Sequence, residues 1–263
     1  MDIKTADRLR VLNNRFYREQ AASFAETRQA PWPGWERCLE VISAAARPSL
    51  SVFDLACGNL RFESFLTSAL SGTAFDFYAV DSCDELVPQT PTPALLVTYQ
   101  HLDILDALCR GLPLARQLTA PACDLSVAFG FLHHVPLPQQ RAQILAALID
   151  QTKPGGFVIV SLWQFLSDPA RRDKAQATHE RALYALDLPE LDEGDYILGW
   201  KDIPGAYRYC HSFSDTEIDQ LITSTTRGAP GASRPTSEPQ LIARFTADGR
   251  TNNLNTYLIL QNH

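Results

Sequence analysis

The sequence lacks the patterns of metal-binding, disulfide-linked and membrane proteins. None of its six cysteines belongs to a Cys-x-x-Cys pair, and no histidine and cysteine cluster has the spacing of a zinc site. We therefore expect dispersed, reduced thiols and no metal ion. The N-terminus has no apolar signal core, and no apolar run is long enough to span a bilayer. These absences predict a cytoplasmic protein that does not associate with a membrane.

Positive charge is also scarce. The chain has 23 Lys and Arg residues against 30 Asp and Glu residues, a formal net charge of −7. This balance argues against broad, nonspecific nucleic-acid binding, which needs a basic face, but it leaves room for a local basic patch. With 263 residues and a hydrophobic fraction of 45%, the chain can form the core of one α/β domain.

Three sequence motifs with known chemistry are missing. The absence of Gly-x-Gly-x-x-Gly disfavours NAD or FAD, whose pyrophosphate needs close approach to glycine backbone. No glycine loop ends in Gly-Lys-Ser/Thr, which disfavours a P-loop nucleotide site. No Gly-x-Ser-x-Gly elbow is present, which disfavours an α/β-hydrolase.

What the sequence does contain is an alternation of short apolar strands and helical segments. Helices are predicted at 6–29, 35–46, 60–70, 139–152 and 214–223, and strands at 51–55, 75–80, 95–100, 124–129, 157–163, 241–246 and 255–260. We expect Lys153-Pro154-Gly155-Gly156 to end the fourth helix, and Ser214 with Glu217 to cap the fifth. The alternation predicts an α/β fold with a mostly parallel sheet and helices on both faces.

We expect a single domain, 1–263, made of four parts. Residues 164–207 are polar with patchy helical signals, and we interpret them as an insertion that covers the substrate. Residues 227–239, rich in Gly, Pro and Ser, are predicted to be a loop. The parts are an N-terminal helical cap (1–48), a ligand-binding core (49–163), the insertion (164–207), and a C-terminal helix with closing strands (208–263).

Small and acidic residues follow the predicted parallel strands, where ligands bind in open α/β sheets. After the first strand, Asp54 is followed by small residues that allow close approach to backbone N–H groups. Asp81 is placed to accept hydrogen bonds from ribose hydroxyls, and Asp103 to accept from an adenine amino group. Phe129-Gly130-Phe131, after the fourth strand, is placed at the reactive end of such a ligand.

The Asp-x-x-Cys-Gly-Asn loop, Asp81, Asp103 and the Lys-Pro-Gly-Gly turn resemble the ordered motifs of class I S-adenosylmethionine (SAM)-dependent methyltransferases over about residues 50–165. The resemblance implies a Rossmann-like sandwich with a seven-stranded sheet. It also implies SAM as cofactor and S-adenosylhomocysteine as product. The implied cofactor-binding residues are Arg28, Asp54, Ala56, Cys57, Gly58, Asn59, Asp81, Ser82, Asp103, Ile104, Phe129 and Gly130.

Further segments, at both ends of the chain and within the core, carry a narrower resemblance. They are Phe16-Tyr17 with Ala21–Phe24, Thr27-Arg28, Trp32-Pro33, Cys57-Gly58-Asn59, Leu132-His133-His134, Trp163-Gln164 and Arg208–Phe213. Together these segments resemble the wobble-uridine tRNA methyltransferases. This resemblance implies methylation of the carboxylate of 5-carboxymethyluridine in tRNA and a small activating partner subunit, which eukaryotic members need. Ala56 and Leu60 replace two glycines of that family, and Arg61 replaces its lysine. We expect Leu60 to add bulk near the cofactor's carboxylate end.

Several residues beside the predicted ligand site are candidates for roles near the acceptor. We predict a pairing of Arg28 with a carboxylate of SAM or of the substrate, against the alternative of a surface arginine. The candidate catalytic residues are His133, His134, Arg208 and His211, and the candidate substrate-binding residues are Tyr17, Trp32, Phe131 and Trp163. Structural hydrogen bonding remains the alternative for the histidines and Arg208, and simple core packing for Phe131 and Trp163.

Three functions remain open from the sequence. The first is a tRNA methyltransferase that needs no general base, because a carboxylate acceptor is already ionised. The second is a methyltransferase of a small anionic molecule, which the acidic net charge favours. The third is a non-catalytic SAM-binding scaffold subunit, suggested by Leu60.

Overall fold

The computed structural model describes residues 1–44, 48–88, 95–227 and 239–263. The described elements alternate along the chain as helices α1–α7 and strands β1–β9. The helices are α1 Ile3–Glu26, α2 Pro33–Ala44, α3 Arg61–Ala69, α4 Ile104–Cys109, α5 Pro138–Asp150, α6 Pro169–Ala185 and α7 Asp215–Arg227. The strands are β1 Ser49–Leu55, β2 Ala74–Asp81, β3 Val97–His101, β4 Cys123–Ala128, β5 Thr152–Trp163, β6 Asp195–Gly199, β7 Tyr207–His211, β8 Gln240–Ala247 and β9 Asn255–Gln261. The end of the second predicted helix and most of the loop predicted at 227–239 lie outside the described residues.

The main sheet has seven strands in the order β3-β2-β1-β4-β5-β9-β8. Neighbouring strands from β3 to β5 are parallel, whereas β9 pairs antiparallel with both β5 and β8. The predicted mostly parallel seven-stranded sheet is confirmed. Because β1 lies between β2 and β4, the chain order reverses at β1, and a crevice forms beyond the carboxyl ends of β1 and β4.

Helices cover both faces of this sheet. In β5, Val158 and Val160 pack into a cluster formed with α4, α5 and α7, while Ile159 between them packs into a second cluster formed with α2 and α3. Side chains alternate across a strand, so one apolar strand can contribute to both cores. This explains why the central strands are continuously apolar in sequence.

Helix α1 forms one wall beside the sheet. It starts at the N-cap Asp2, whose side chain accepts a hydrogen bond from the Thr5 N–H. The Asn13 amide then exchanges hydrogen bonds with the main chain of Tyr209 in β7, at 2.7 Å and 3.2 Å. None of the described helices is long and apolar enough to pass through a bilayer.

The segment predicted to be an irregular insertion is more regular than expected. Residues 169–185 form the helix α6, and β6 pairs antiparallel with β7 in a separate two-stranded sheet. Only Ala175 and Ala182 of α6 are buried, so the helix shows almost no amphipathic pattern. The inserted structure also extends through His211, past the boundary predicted at residue 207, because β6 needs β7 as its partner.

The structure tests the predicted end of α5 and the predicted start of α7. Helix α5 ends at Asp150, and β5 already begins at Thr152, so Lys153-Pro154-Gly155-Gly156 lies within that strand, opposite a register shift in β4. The prediction that this turn separates helix and strand was therefore wrong. The capping box of α7 is confirmed, since the Ser214 N–H donates to the Glu217 carboxylate and the Glu217 N–H donates to the Ser214 hydroxyl.

Candidate active site

A cavity of about 560 Å³ lies at the carboxyl ends of β1, β2 and β4. Helix α1, the α1–α2 linker and the loop between β6 and β7 contribute to its walls. Every residue predicted to bind cofactor or substrate lines this cavity, and His133, His134 and Arg208 also line it. Thus the structure brings together residues that are far apart in the sequence.

The fourth predicted catalytic residue, His211, does not line the cavity. Its imidazole is buried, with Nδ1 at 2.7 Å from Asp195 and Nε2 at 3.0 Å from Glu217. These partners hold the ring between the small sheet and α7. The family resemblance of the segment Arg208–Phe213 placed His211 at the site beside Arg208. The two residues are an odd number of positions apart in β7, so their side chains point to opposite faces of the strand.

The cofactor-site loop after β1 depends on left-handed backbone conformations. Ala56, Gly58 and Leu60 have φ values of 65°, 55° and 56°. Only glycine adopts this region without a steric cost, which for other residues is about 1–2 kcal/mol. This explains why glycine is expected at the positions that Ala56 and Leu60 occupy. The Ala56 and Cys57 N–H groups compensate in part by donating to the Val80 carbonyl.

The Leu60 side chain turns away from the cavity. It is buried among apolar residues that include Ala79 and Cys57, and it does not line the cavity. The expectation that Leu60 adds bulk at the ligand site was therefore wrong. The branched side chain fills the space between the loop and β2, where a glycine would leave a void.

Asp81 is held in a fixed orientation at the end of β2. One carboxylate oxygen accepts from the Gly58 N–H at 2.8 Å, and the other from the Cys83 N–H at 2.9 Å. Burial raises the pKa of Asp81, although these backbone donors oppose the shift. The carboxylate is thus placed at the cavity wall with limited freedom to move.

Asp103 joins α1 to the cavity wall. Its carboxylate accepts from Arg10 at 2.7 Å and from Asn14 at 2.6 Å, and it caps α4 by accepting from the Asp106 N–H at 2.9 Å. Asp103 lines the cavity as predicted, but much of its hydrogen-bonding capacity is used within the protein. Asn14 also lines the cavity, although nothing in its sequence surroundings marks it.

Two largely buried arginines, Arg28 and Arg208, add positive charge to the cavity wall. The Arg28 guanidinium lies 3.6 Å from the Phe24 ring centroid, and burial lowers its pKa to about 10. Arg208 is 7% exposed and lies 5.1 Å from the ring centroids of both Phe16 and Trp200. Its Nε and Nη1 atoms have no hydrogen-bond partner among the described residues. A buried donor without an acceptor is costly, so this guanidinium is suited to an anionic ligand.

The neighbouring histidines differ in their hydrogen bonding. His134 Nδ1 lies 2.9 Å from the Tyr209 carbonyl, which can only accept, so Nε2 is the nitrogen that accepts from the Tyr17 hydroxyl at 2.6 Å. His133 Nδ1, in contrast, is buried and has no partner in the described structure. Burial lowers the pKa of both rings, that of His134 to about 3. Both are neutral, and of the two only His133 has a ring nitrogen without a partner among the described residues.

His133, His134 and Cys210 offer ligand atoms within 4.8 Å of one another, an arrangement that metal sites can have. The surroundings do not fit a metal ion, because both nitrogens of His134 are occupied and the positive charges of Arg28 and Arg208 act on the histidines. Burial also raises the pKa of the Cys210 thiol to about 11, so it is a poor ligand. The absence of a metal ion remains a prediction.

Three further residues at the site had no predicted role. Arg61 donates from Nη1 to the Ala30 carbonyl at 2.9 Å and lies 5.2 Å from the Trp32 ring centroid, so it holds the α1–α2 linker over the cavity. Trp200 comes from the inserted segment, whose pattern predicted no element. Glu63, in the first turn of α3, is fully buried against Asp54.

The chain matches no known protein-family model. It is similar to a tRNA (carboxymethyluridine(34)-5-O)-methyltransferase of Arabidopsis thaliana, with 27% identity over 151 residues. The aligned region is 57% of this chain but only 32% of the Arabidopsis protein. The likeness therefore spans about a third of that relative.

Solved structures give a broader structural match. A SAM-dependent methyltransferase from Methanosarcina mazei superimposes with a TM-score of 0.55 at 16% identity, covering 84% of this chain and 96% of that one. A SAM-dependent methyltransferase from Clostridium acetobutylicum gives a TM-score of 0.52 at 10% identity, covering 94% and 96%. At such identities the likeness concerns the fold. With its strand order and its cavity beyond β1 and β4, the chain has the Rossmann-like fold of the class I SAM-dependent methyltransferases.

Proposed function

We propose that this protein is a SAM-dependent methyltransferase that esterifies the carboxylate of a modified wobble uridine in tRNA. The observation that carries the proposal is the buried Arg208 guanidinium, whose Nε and Nη1 face no acceptor in the described structure. A guanidinium donates to both oxygens of a carboxylate in one plane, and such paired bonds combine strength with orientation.

The cavity residues fit SAM at one end. Asp81, fixed by two backbone donors, is suited to accept from ribose hydroxyls, and the small residues of the loop at 56–58 leave room for close approach. Arg28 is suited to pair with the methionine carboxylate. When bound, SAM supplies an electrophilic methyl group. The residues of this chain orient the reactants and exclude water.

A pair of arginines on the cavity wall then points to the acceptor. SAM has one carboxylate, whereas five arginines line the cavity, and two of them, Arg28 and Arg208, lie together against the Phe24 and Trp200 rings. The second arginine of this pair is suited to an anion on the acceptor. A carboxylate attacks through an oxygen that is already ionised, so no general base has to remove a proton. The neutral His133 can therefore serve by hydrogen bonding, without titrating.

The tRNA acceptor draws support from the Arabidopsis relative, which acts on a carboxymethyluridine by name. A small anionic molecule is the second candidate, favoured by the net charge of −7. The non-catalytic scaffold has lost its basis, because Leu60 does not line the cavity. Activation by a small partner subunit stays a prediction.

Two measurements test this proposal. In tRNA from a strain that lacks the gene, nucleoside mass spectrometry should show 5-carboxymethyluridine accumulating at the expense of its methyl ester. In a reaction with methyl-labelled SAM, tRNA bearing 5-carboxymethyluridine should take up label that mild alkali releases as methanol, as esters do. Unmodified tRNA is the control. An unchanged nucleoside profile would exclude the tRNA acceptor, and alkali-stable label would exclude the ester.

A further inference from the structure

Asp54 and Glu63 form a buried pair of carboxyl groups behind the cofactor-site loop. Asp54 ends β1, lines the cavity and is 3% exposed, while Glu63 comes from the first turn of α3 and is 0% exposed. Each carboxyl group shifts the pKa of the other, so the two side chains lie close together. Apart from Asp54, no side chain of the described residues is a hydrogen-bond partner of either Glu63 oxygen. Two carboxylates can bond to each other only through a proton.

Among the described residues, no charged or titratable group around this pair stabilises a second negative charge on it. Asp81, at the end of β2, adds a further negative charge. The Cys57 thiol of the loop is kept protonated, because burial and then the three carboxyl groups raise its pKa. Burial, followed by the charge of Glu63, raises the pKa of Asp54, and burial raises that of Glu63. No cation of the described structure contributes to either shift. Like-charged carboxyls at such a site cannot both ionise easily.

We propose that Asp54 and Glu63 share one proton while the cavity is empty, and that a cationic ligand bound against Asp54 expels this proton into solvent. The inference rests on the proposed function, since the ammonium and sulfonium groups of SAM would supply the positive charge. The charges balance, because the positive charge of the ligand takes the place of the shared proton. This proton passes to the buffer, and both carboxyl groups become ionised. Glu63 is thus a positioning residue that acts on the ligand through Asp54.

Calorimetric titration of the full chain with SAM, in buffers of different ionisation enthalpy, measures the protons released per ligand. We expect release of up to one proton, and a Kd that falls as the pH rises through the neutral range, by at most about tenfold per pH unit. In Glu63→Gln the amide N–H takes the place of the shared proton, so SAM should still bind but proton release should vanish. Glu85→Gln, an exposed carboxylate at the cavity, is the matched control and should retain the release.

The outcomes separate this inference from the proposed function. SAM binding with no proton release in the wild-type chain would overturn the inference and leave the methyltransferase proposal intact. The absence of SAM binding would overturn the methyltransferase proposal itself. If Glu63→Gln does not fold, Asp54→Asn offers the same amide donor from the other side. In the wild-type chain, uncharged 5′-methylthioadenosine should bind without releasing a proton, and equal release with it and with SAM would also overturn the inference.

Discussion

Arg208 is held by aromatic rings and has no acidic partner at two of its nitrogens. If it binds the acceptor carboxylate, Arg208→Lys should lower kcat/KM for the acceptor by about tenfold to a hundredfold, because lysine keeps the charge but loses the planar fork. Calorimetry should show SAM affinity nearly unchanged. Arg172→Lys, on the exposed face of α6, is the control.

A parallel loss of SAM affinity in Arg208→Lys would instead assign this arginine to the cofactor's carboxylate. Normal turnover would show that its hydrogen-bonding capacity is met within the protein. Either result removes the support that Arg208 gives to a carboxylate acceptor.

Single residues were predictable where a chemical type marks a strand end. Asp81 and Gly58 line the cavity, as expected from their places after β2 and β1. The difference between His133 and His134 was not predictable, because it depends on Tyr17 of α1 and on the Tyr209 carbonyl of β7. Adjacent identical residues can be distinguished only when the partners of each ring nitrogen are known.

At the scale of single elements, helix α6 has a chemically defined start. Asp168 accepts from the Ala170 and Arg171 N–H groups, and Pro169 occupies the first turn. Since few side chains of α6 are buried, we expect Asp168→Ala to lower the free energy of unfolding by about 1 kcal/mol. Denaturant unfolding monitored by circular dichroism measures this change.

Asp173→Ala, at an exposed position of the same helix, is the matched control and should change stability by less than about 0.5 kcal/mol. An equal effect of the two substitutions would mean that the cap does not stabilise α6. A much larger effect of Asp168→Ala would mean that the helix start also supports the cavity wall, which Arg171 helps to form.

The sequence predicted helices and strands best where their side chains are buried. The central strands appear as apolar runs because both faces are covered, and α7 is marked by its capping box. Helix α6 is exposed on most sides, so its sequence has no apolar periodicity to detect. Strand β6 was missed for a related reason, because its pairing with β7 is decided by tertiary contacts.

At the scale of the whole molecule, a buried polar network joins the inserted segment to the core. Asp195 of β6 accepts from the Tyr209 hydroxyl at 2.6 Å and contacts His211, which in turn contacts Glu217 of α7. Arg141 of α5 lies 3.8 Å from both Asp195 and Glu217. Four elements, α5, β6, β7 and α7, thus meet at one set of charged and polar groups, so the network holds the inserted segment to the core.

This network predicts a pH-dependent stability. Burial alone would raise the pKa of Glu217, but hydrogen bonds from His211 and Ser214 outweigh it and lower the pKa to about 2. An unfolded Glu has a pKa of about 4.3, so the ionised form stabilises the fold above that pH, and this contribution is lost as the pH falls towards about 2. Glu217→Gln should therefore be less stable than wild type at neutral pH, with a difference that narrows in acid.

Urea midpoints measured at neutral pH and in steps down to about pH 3 test this prediction. Glutamine can still serve in the capping box with Ser214, so the substitution isolates the charge. Glu193→Gln, an exposed carboxylate in the loop before β6, is the control and should follow wild type at every pH. A stability difference that stays constant with pH would show that the Glu217 charge does not link α7 to β7.

The sequence by itself determined the sheet and the edge at which the cavity forms. Apolar strands followed by Asp54, Asp81 and Asp103 predict an α/β fold with its ligand site at the carboxyl ends, because local hydrophobic patterning decides which segments become buried strands. Only the tertiary structure decided which charges remain unpaired. Contacts between distant segments leave Arg208 without an acceptor at two nitrogens, keep His211 away from the cavity and place Glu63 against Asp54. Burial and partner geometry set the chemistry of an ionisable group, and neither can be read from its neighbours in the chain.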